Sequence, residues 1–117
     1  MRILLDAMGG DNAPDANIKG AINSINKVKA QVVLIGKEKI IRNKIKEFYG
    51  KEIEEISDRL KIVNAEETIE MEDQPTLAIK HKKDSSMVVG FKMLKENEGD
   101  VFISARKFRG ITYSEQL

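Results

Sequence analysis

The sequence predicts an α/β fold with a mainly parallel sheet, and two observations carry this prediction. Short apolar segments of four to five residues alternate with longer segments in which apolar residues recur at helical spacing. Turn-forming residues, among them Gly36, Gly50 and Gly99, separate these segments. Strands that alternate with helices along one chain are typical of parallel sheets with right-handed crossovers.

The first half of the chain predicts two strands and two helical segments. Residues 2–6 form an apolar run that ends in an acid, and residues 31–35 form a second strand. Pro14 suits the first helical position, where its missing N–H is not needed. The apolar face of this helix consists of Ile18, Ala21, Ile22 and Ile25. The next helix starts near Lys37, and its apolar face consists of Ile41, Ile45, Phe48 and Tyr49, with Ile53 and Ile56 after Gly50.

The second half predicts two more strands, at residues 60–63 and 101–105. Between them we expect an irregular acidic stretch at 66–73, a short helix at 76–82 and a longer helix. Asp84, Ser85 and Ser86 offer oxygens that cap the longer helix, whose repeating face consists of Met87, Gly90, Phe91 and Leu94. The polar residues after 105 predict neither helix nor strand. Because a parallel sheet needs helices on its faces, we expect a chain truncated after the fourth strand.

Composition limits the function classes. The chain has 117 residues, 33% of them charged, which argues for one globular domain. Its formal net charge of +1 argues against a nucleic-acid binder. It has no cysteine, so disulfides, zinc ribbons and thiol nucleophiles are excluded, and its single histidine, His81, argues against a His-rich metal site. No apolar run approaches the roughly 18 residues of a membrane span, and we expect no secretory signal, because the apolar segment at residues 3–5 is too short for one. We therefore expect a cytoplasmic protein.

The loop from Asp6 to Asp11 is the strongest candidate for a binding site. It follows the first strand at its carboxyl end, where open α/β sheets bind ligands. Gly9 and Gly10 allow a phosphate or another backbone to approach closely, and the following helix presents free N–H groups. The two aspartates would repel an anion unless they are turned elsewhere. The competing interpretation is a tight strand-to-helix turn in which Asp11 or Asn12 caps the helix.

Two charged segments offer weaker signals. The basic cluster at residues 80–83 could bind phosphate, but solvated lysines at a helix end are the commoner explanation. His81 could act as a general base, but a surface histidine is the commoner explanation, since the sequence places no carboxylate beside it. The acidic residues between Glu66 and Asp73 lack metal-loop spacing, so a solvated loop is expected there and no metal site.

Five segments together resemble the PlsX-type phosphate acyltransferases of bacterial phospholipid synthesis. They include the motifs DAMGGD and KDSSM, and they lie at residues 3–14, 33–36, 78–80, 83–87 and 100–105. The resemblance implies that residues 1–105 are the N-terminal part of a Rossmann-like α/β/α domain with a mainly parallel sheet, related to isocitrate dehydrogenases and phosphotransacetylases. It also implies a homodimer in the full-length family.

The implied reaction moves a fatty acyl group from acyl carrier protein to inorganic phosphate and forms acyl phosphate, with no redox or metal cofactor. A functional link to the membrane glycerol-3-phosphate acyltransferase, and a location peripheral to the membrane in the full-length form, would follow. The implied substrate-binding candidates are Asp6, Gly9, Gly10, Asp11 and Asn12 at the rim of the site, and Ser85, Ser86 and Ser104 lining it. The catalytic lysine and asparagine of the family would lie beyond this chain, so we expect the chain alone to be inactive.

Residues 106–117 depart from the family, which continues with a glycine-rich loop after Ala105. One permitted back-translation of residues 106–112, read after its first nucleotide is dropped, gives Gly-Asn-Ser-Gly-Ala-Leu-Leu, which is that loop. Our hypothesis is an out-of-frame tail, caused by a frameshift or a sequencing error. The alternative is a free-standing α/β module that binds phosphate or a nucleotide and ends near residue 117.

Overall fold

A four-stranded sheet, parallel throughout, organises the described part of the chain. The computed structural model describes residues 1–69 and 75–106. Its elements are, in chain order, β1 (Arg2–Asp6), α1 (Asp15–Ile25), β2 (Gln31–Gly36), α2 (Glu38–Tyr49), α3 (Ile53–Ile56), β3 (Leu60–Asn64), α4 (Pro75–His81), α5 (Ser86–Lys95) and β4 (Val101–Ile103). The strand order is β3-β2-β1-β4, and all three strand pairs are parallel. The predicted α/β class is confirmed.

Helices cover both faces of the sheet, as the apolar pattern of β2 requires. Val32 and Leu34 pack into the core formed with α1, α2 and α3. Val33 and Ile35 point to the opposite face, where they join Met93 of α5. Because successive side chains of a strand alternate between faces, a run of four buried apolar residues identifies a strand between two layers. The architecture is therefore α/β/α.

The register of β1 with its neighbours gathers three strand ends at one edge. Asp6 lies beside Ile35 of β2, and Leu5 lies beside Ile103 of β4. The residues after β1 and after β4 consequently leave the sheet at adjacent positions, which is where parallel sheets hold their ligands.

Several element boundaries differ from expectation. Pro14 directly precedes α1 instead of opening it, and no side chain caps the helix there, so the predicted cap by Asp11 or Asn12 is wrong. β4 ends at Ile103 and not at residue 105, because Ser104 turns toward β1. The short helix α4 is displaced by one residue from the expected 76–82.

Some expectations cannot be placed on this structure. Residues 70–73 of the acidic stretch and 107–117 of the tail lie outside the described residues. Within the described ranges, none of the helices is long and apolar enough to cross a membrane.

Candidate functional site

A fully buried carboxylate ends the central strand β1. Asp6 has no exposed surface, and neither has Leu4, two positions earlier on the same face of the strand. The apolar residues of β1 fix the strand in the sheet, so they also fix where this carboxylate emerges. A buried charge is costly unless it is paired and hydrogen-bonded, so its partners define the site.

Three neutral donors from separate parts of the chain bind the Asp6 carboxylate. The Ser86 hydroxyl, at the start of α5, donates to Oδ1 at 2.5 Å, and the Ser104 hydroxyl, just after β4, donates to Oδ2 at 2.8 Å. The backbone N–H of Met8 donates to Oδ1 at 3.1 Å. Hydrogen bonds to an ionised acceptor are stronger than neutral ones, so they bind the ends of β1, β4 and α5 together.

Arg106 supplies the positive charge that balances Asp6. Its Nε lies 3.2 Å from Asp6 Oδ2, and the side chains of the pair are 6% and 0% exposed. Its Nη1 donates to the backbone carbonyl of Ile69. Arg106 was not predicted as a site residue, because the sequence pattern predicts no structure after residue 105. We call Asp6, Ser86, Ser104 and Arg106 the Asp6 cluster.

Gly9 and Gly10 let the loop from Asp6 to Asp11, which we call the glycine loop, pass over the Asp6 cluster. A Cβ on Gly9 would lie 2.6 Å from Asp6 Oδ2 and 3.0 Å from Ser104 Oγ. Gly10 has a φ of +105°, and a Cβ there would lie 3.1 Å from the Ala105 side chain. Contacts and backbone conformation both require glycine, so this loop is built for close approach.

Asn17 of α1 holds the same loop from the other side. Its side-chain Nδ2 donates to the carbonyls of Asp6, Ala7 and Gly9 at 3.2, 3.0 and 2.8 Å. Asn17 was not predicted as a site residue. The one available signal was a polar amide four positions before Ala21, on the inward side of an otherwise apolar helix face.

The two consecutive serines at the start of α5 have different roles. Ser85 is buried and caps α5, because its hydroxyl accepts the N–H of Val88 at 3.3 Å. This confirms the predicted cap for Ser85. Ser86 was expected first of all to cap as well, and that is wrong, since its hydroxyl is directed to Asp6. Of the eight candidates, the structure brings together Asp6, Gly9, Ser86 and Ser104, with Gly10 beside them.

The remaining candidates lie apart from the Asp6 cluster. Asp11 and Asn12 are exposed, and their side chains make no hydrogen bond to residues 1–69 or 75–106. Lys80, His81 and Lys83 are exposed at the end of α4 and after it, which fits a solvated helix end. Lys82 donates to the carbonyl of Thr68 at 2.8 Å and so ties α4 to the preceding segment. Among the residues described, no group of three or more His, Cys, Asp or Glu could hold a metal ion.

Comparison with known proteins identifies a consistent set of relatives. The family described as fatty acid synthesis protein matches residues 1–107. A phosphate acyltransferase of Acetivibrio thermocellus is 51% identical over 105 residues, which cover 89% of this chain and 30% of the relative. Phosphate acyltransferases of Clostridioides difficile and Dictyoglomus turgidum are 43% and 44% identical, each over 90% of this chain and 29% and 30% of the relative. The chain thus spans about 30% of the length of these curated relatives.

Proposed function

The chain belongs to the fatty acid synthesis protein family of phosphate acyltransferases, and on that premise we propose that Asp6, Ser86 and Ser104 of the Asp6 cluster, with the glycine loop, form the phosphate side of an acyl-transfer site. The proposed reaction transfers a fatty acyl group from acyl carrier protein to inorganic phosphate. Its place would be bacterial phospholipid synthesis.

The observation that carries the proposal is the junction of Asp6, Ser86 and Ser104 beneath Gly9 at the carboxyl edge of the sheet. Both hydroxyls give their proton to Asp6. The Oγ of the half-buried Ser104 also accepts the N–H of Arg106 at 3.1 Å, so it keeps one lone pair to accept the O–H of a hydrogen phosphate. Ser86, in contrast, is fully buried and holds Asp6 in place. The glycine loop adds backbone N–H groups and admits an anion closely. Asp6 would act by orienting the Ser104 hydroxyl.

The reaction balances without any further reagent. A phosphate oxygen attacks the carbonyl carbon of the acyl thioester, so that a C–O bond forms and the C–S bond breaks. The thiol of the carrier leaves with the proton released by the phosphate. The negative charge on the carbonyl oxygen of the intermediate requires nearby donors.

We assign residues 1–105 to the N-terminal part of the acyltransferase α/β domain. Since the chain spans about 30% of its relatives, further catalytic groups and the dimer surface would come from the remaining part. The chain alone should then form no acyl phosphate. Acyl carrier protein as donor, a homodimer, a cytoplasmic location and a link to the membrane glycerol-3-phosphate acyltransferase belong to the same proposal.

We further propose that residues 106–117 come from a shifted reading frame. Sequencing the gene from codon 104 onward tests this, because removing one surplus base should restore a glycine-rich loop after Ala105. A clean frame followed by unrelated sequence would contradict it and favour the free-standing binding module.

A chimera tests the function. Residues 1–105 would be joined to the remaining part of the Acetivibrio thermocellus relative and assayed with acyl carrier protein thioester and inorganic phosphate, with hydroxylamine trapping of acyl phosphate. We expect activity in the chimera and its loss with Asp6→Asn. Asp58→Asn, at an exposed turn before β3, is the matched control and should retain activity.

Two results would overturn the proposal. One is an Asp6→Asn chimera that keeps full activity, because the cluster would then be unrelated to acyl transfer. The other is an inactive chimera whose parent relative is active in the same assay.

A further inference from the structure

The side-chain amide of Asn17 contacts three backbone carbonyls of the glycine loop. Its amide carries two N–H groups and contacts three carbonyls, those of Asp6, Ala7 and Gly9, so at least one N–H is shared. All three carbonyls therefore point toward α1.

The direction of each carbonyl fixes the direction of the N–H of the following residue, because both groups belong to one planar peptide. In a trans peptide the C=O and N–H point to opposite sides, and among the described residues the only cis bond joins Ala13 to Pro14. Two of the three peptides show the consequence directly. The N–H of Ala7 donates to the Ile35 carbonyl at 2.9 Å, and the N–H of Met8 donates to Asp6 Oδ1 at 3.1 Å.

The third peptide leaves a donor unused. Because the Gly9 carbonyl faces Asn17, the N–H of Gly10 faces away from α1. Gly10 is exposed, and its N–H donates to no group within residues 1–69 and 75–106. Without the amide of Asn17, the flexible Gly9–Gly10 peptide could rotate and turn a carbonyl oxygen outward, which would repel an anion.

We propose that Asn17 is a positioning residue that locks the Gly9–Gly10 peptide so that the Gly10 N–H is presented to a phosphate oxygen. The identity of the anion rests on the proposed function, whereas the locking of the loop rests on the three hydrogen bonds. Asn17 itself does not touch the phosphate.

The test uses the full 117-residue chain labelled with ¹⁵N, with inorganic phosphate as the probe. Asn17→Ala removes the donors, and Asn17→Asp places a carboxylate against three carbonyl oxygens. Asn23→Ala and Asn23→Asp are the matched controls, since Asn23 is exposed on the same helix. Amide exchange of Met8, the amide shift of Gly10, the phosphate Kd and the Tm are measured for each variant.

We expect phosphate to shift the Gly10 amide of the wild-type chain. Asn17→Ala should weaken phosphate binding by about tenfold, the size expected for one hydrogen bond to a charged group. The Met8 amide should also exchange faster in this variant, while the backbone amides of the strands keep their protection from exchange. Asn17→Asp should show the larger effect, and both Asn23 variants should match the wild type.

The outcomes separate this inference from the proposed function. If Asn17→Ala leaves the Met8 exchange and the Gly10 shift unchanged, Asn17 does not lock the loop and the inference is wrong. If the wild-type chain does not respond to phosphate, the phosphate site fails, and the Met8 exchange still decides whether Asn17 holds the loop. Should Asn17→Asp fail to fold, Asn17→Ala provides the same test.

Discussion

Asp6 and Ser86 are 80 positions apart in the chain, and the hydroxyl of Ser86 donates to the carboxylate of Asp6 over 2.5 Å. This bond joins the end of the central strand to the first residue of α5. A helix whose start is tied to a buried carboxylate cannot slide along the sheet, so the same contact fixes both the fold and the position of Ser86 at the proposed site.

The two serines of α5 should therefore differ in their contribution to stability. Ser86→Ala removes a donor from a buried carboxylate and should cost about 1–3 kcal/mol. Ser85→Ala removes a helix cap and should cost about 1 kcal/mol. Urea unfolding of both variants measures the difference. A larger cost for Ser85→Ala would show that the bond from Ser86 to Asp6 contributes little.

Arg106 and Asp6 should behave as a coupled pair. Removing one partner leaves the other charge buried, so Arg106→Ala should destabilise the chain by about 3 kcal/mol. The same change in an Asp6→Asn background should cost much less, because the remaining amide is neutral. The four free energies of unfolding form a double-mutant cycle. Additive effects would contradict a direct interaction between the two side chains.

The strands and the larger helices could be predicted from the sequence because local patterns specify them. The run from Val32 to Ile35 can be buried on both sides only as a central strand, and the spacing of Ile41 and Ile45 marks one helix face. Gly50 ends α2 in the left-handed region, as glycine commonly does after a helix.

The contacts within the site could not be predicted in the same way. The side chains that bind Asp6 come from the distant positions 86, 104 and 106, and no local sequence pattern predicts which strand ends meet. Asn17 was missed because its acceptors are backbone carbonyls, which are the same for every residue type. Strand β4 was predicted two residues too long because Ser104 bonds to Asp6 after the strand has ended.

Two helical glycines should respond in opposite ways to alanine. A Cβ on Gly20 of α1 would meet nothing within 4 Å, so Gly20→Ala should stabilise the chain by about 0.5–1 kcal/mol through the entropy of the unfolded state. A Cβ on Gly90 of α5 would overlap the ring of Phe102, so Gly90→Ala should destabilise it by about 1–3 kcal/mol. Thermal unfolding checks both signs. A stabilised Gly90→Ala variant would mean that α5 packs less closely on β4.

The ion pair between Arg42 and Glu54 should add stability that depends on pH. Two hydrogen bonds of 3.0 Å from the guanidinium lower the pKa of the Glu54 carboxyl below its ordinary value of 4.5. A carboxyl whose pKa is lower in the folded state stabilises the fold above its unfolded pKa, and this contribution is lost as the pH falls through the folded pKa.

Glu54→Gln should therefore be less stable than the wild type at neutral pH, and the difference should shrink in acid. It should also shrink at high salt, since Glu54 is exposed. Glu96→Gln, which removes an exposed carboxyl at the end of α5, is the control and should show no such trend. Unfolding free energies measured between neutral and acidic pH provide the check. If the difference in unfolding free energy between the wild type and Glu54→Gln grows in acid, the proposed stabilisation by the ion pair is wrong.

The apolar groove beside β4 should cause self-association. It measures about 290 Å³ and is bordered by Ile3, Leu5 and Ile103, of which Ile103 is 48% exposed. Within the described sheet, β4 is an end strand, so an apolar face and an unpaired strand edge lie together.

Ile103→Lys should shift sedimentation profiles toward the monomer over a range of concentrations, because the charge would be desolvated on association. Ile40→Lys, at a residue of α2 that is 37% exposed, should leave the association unchanged. Equal effects of the two substitutions would show that net charge, and not the groove, controls association.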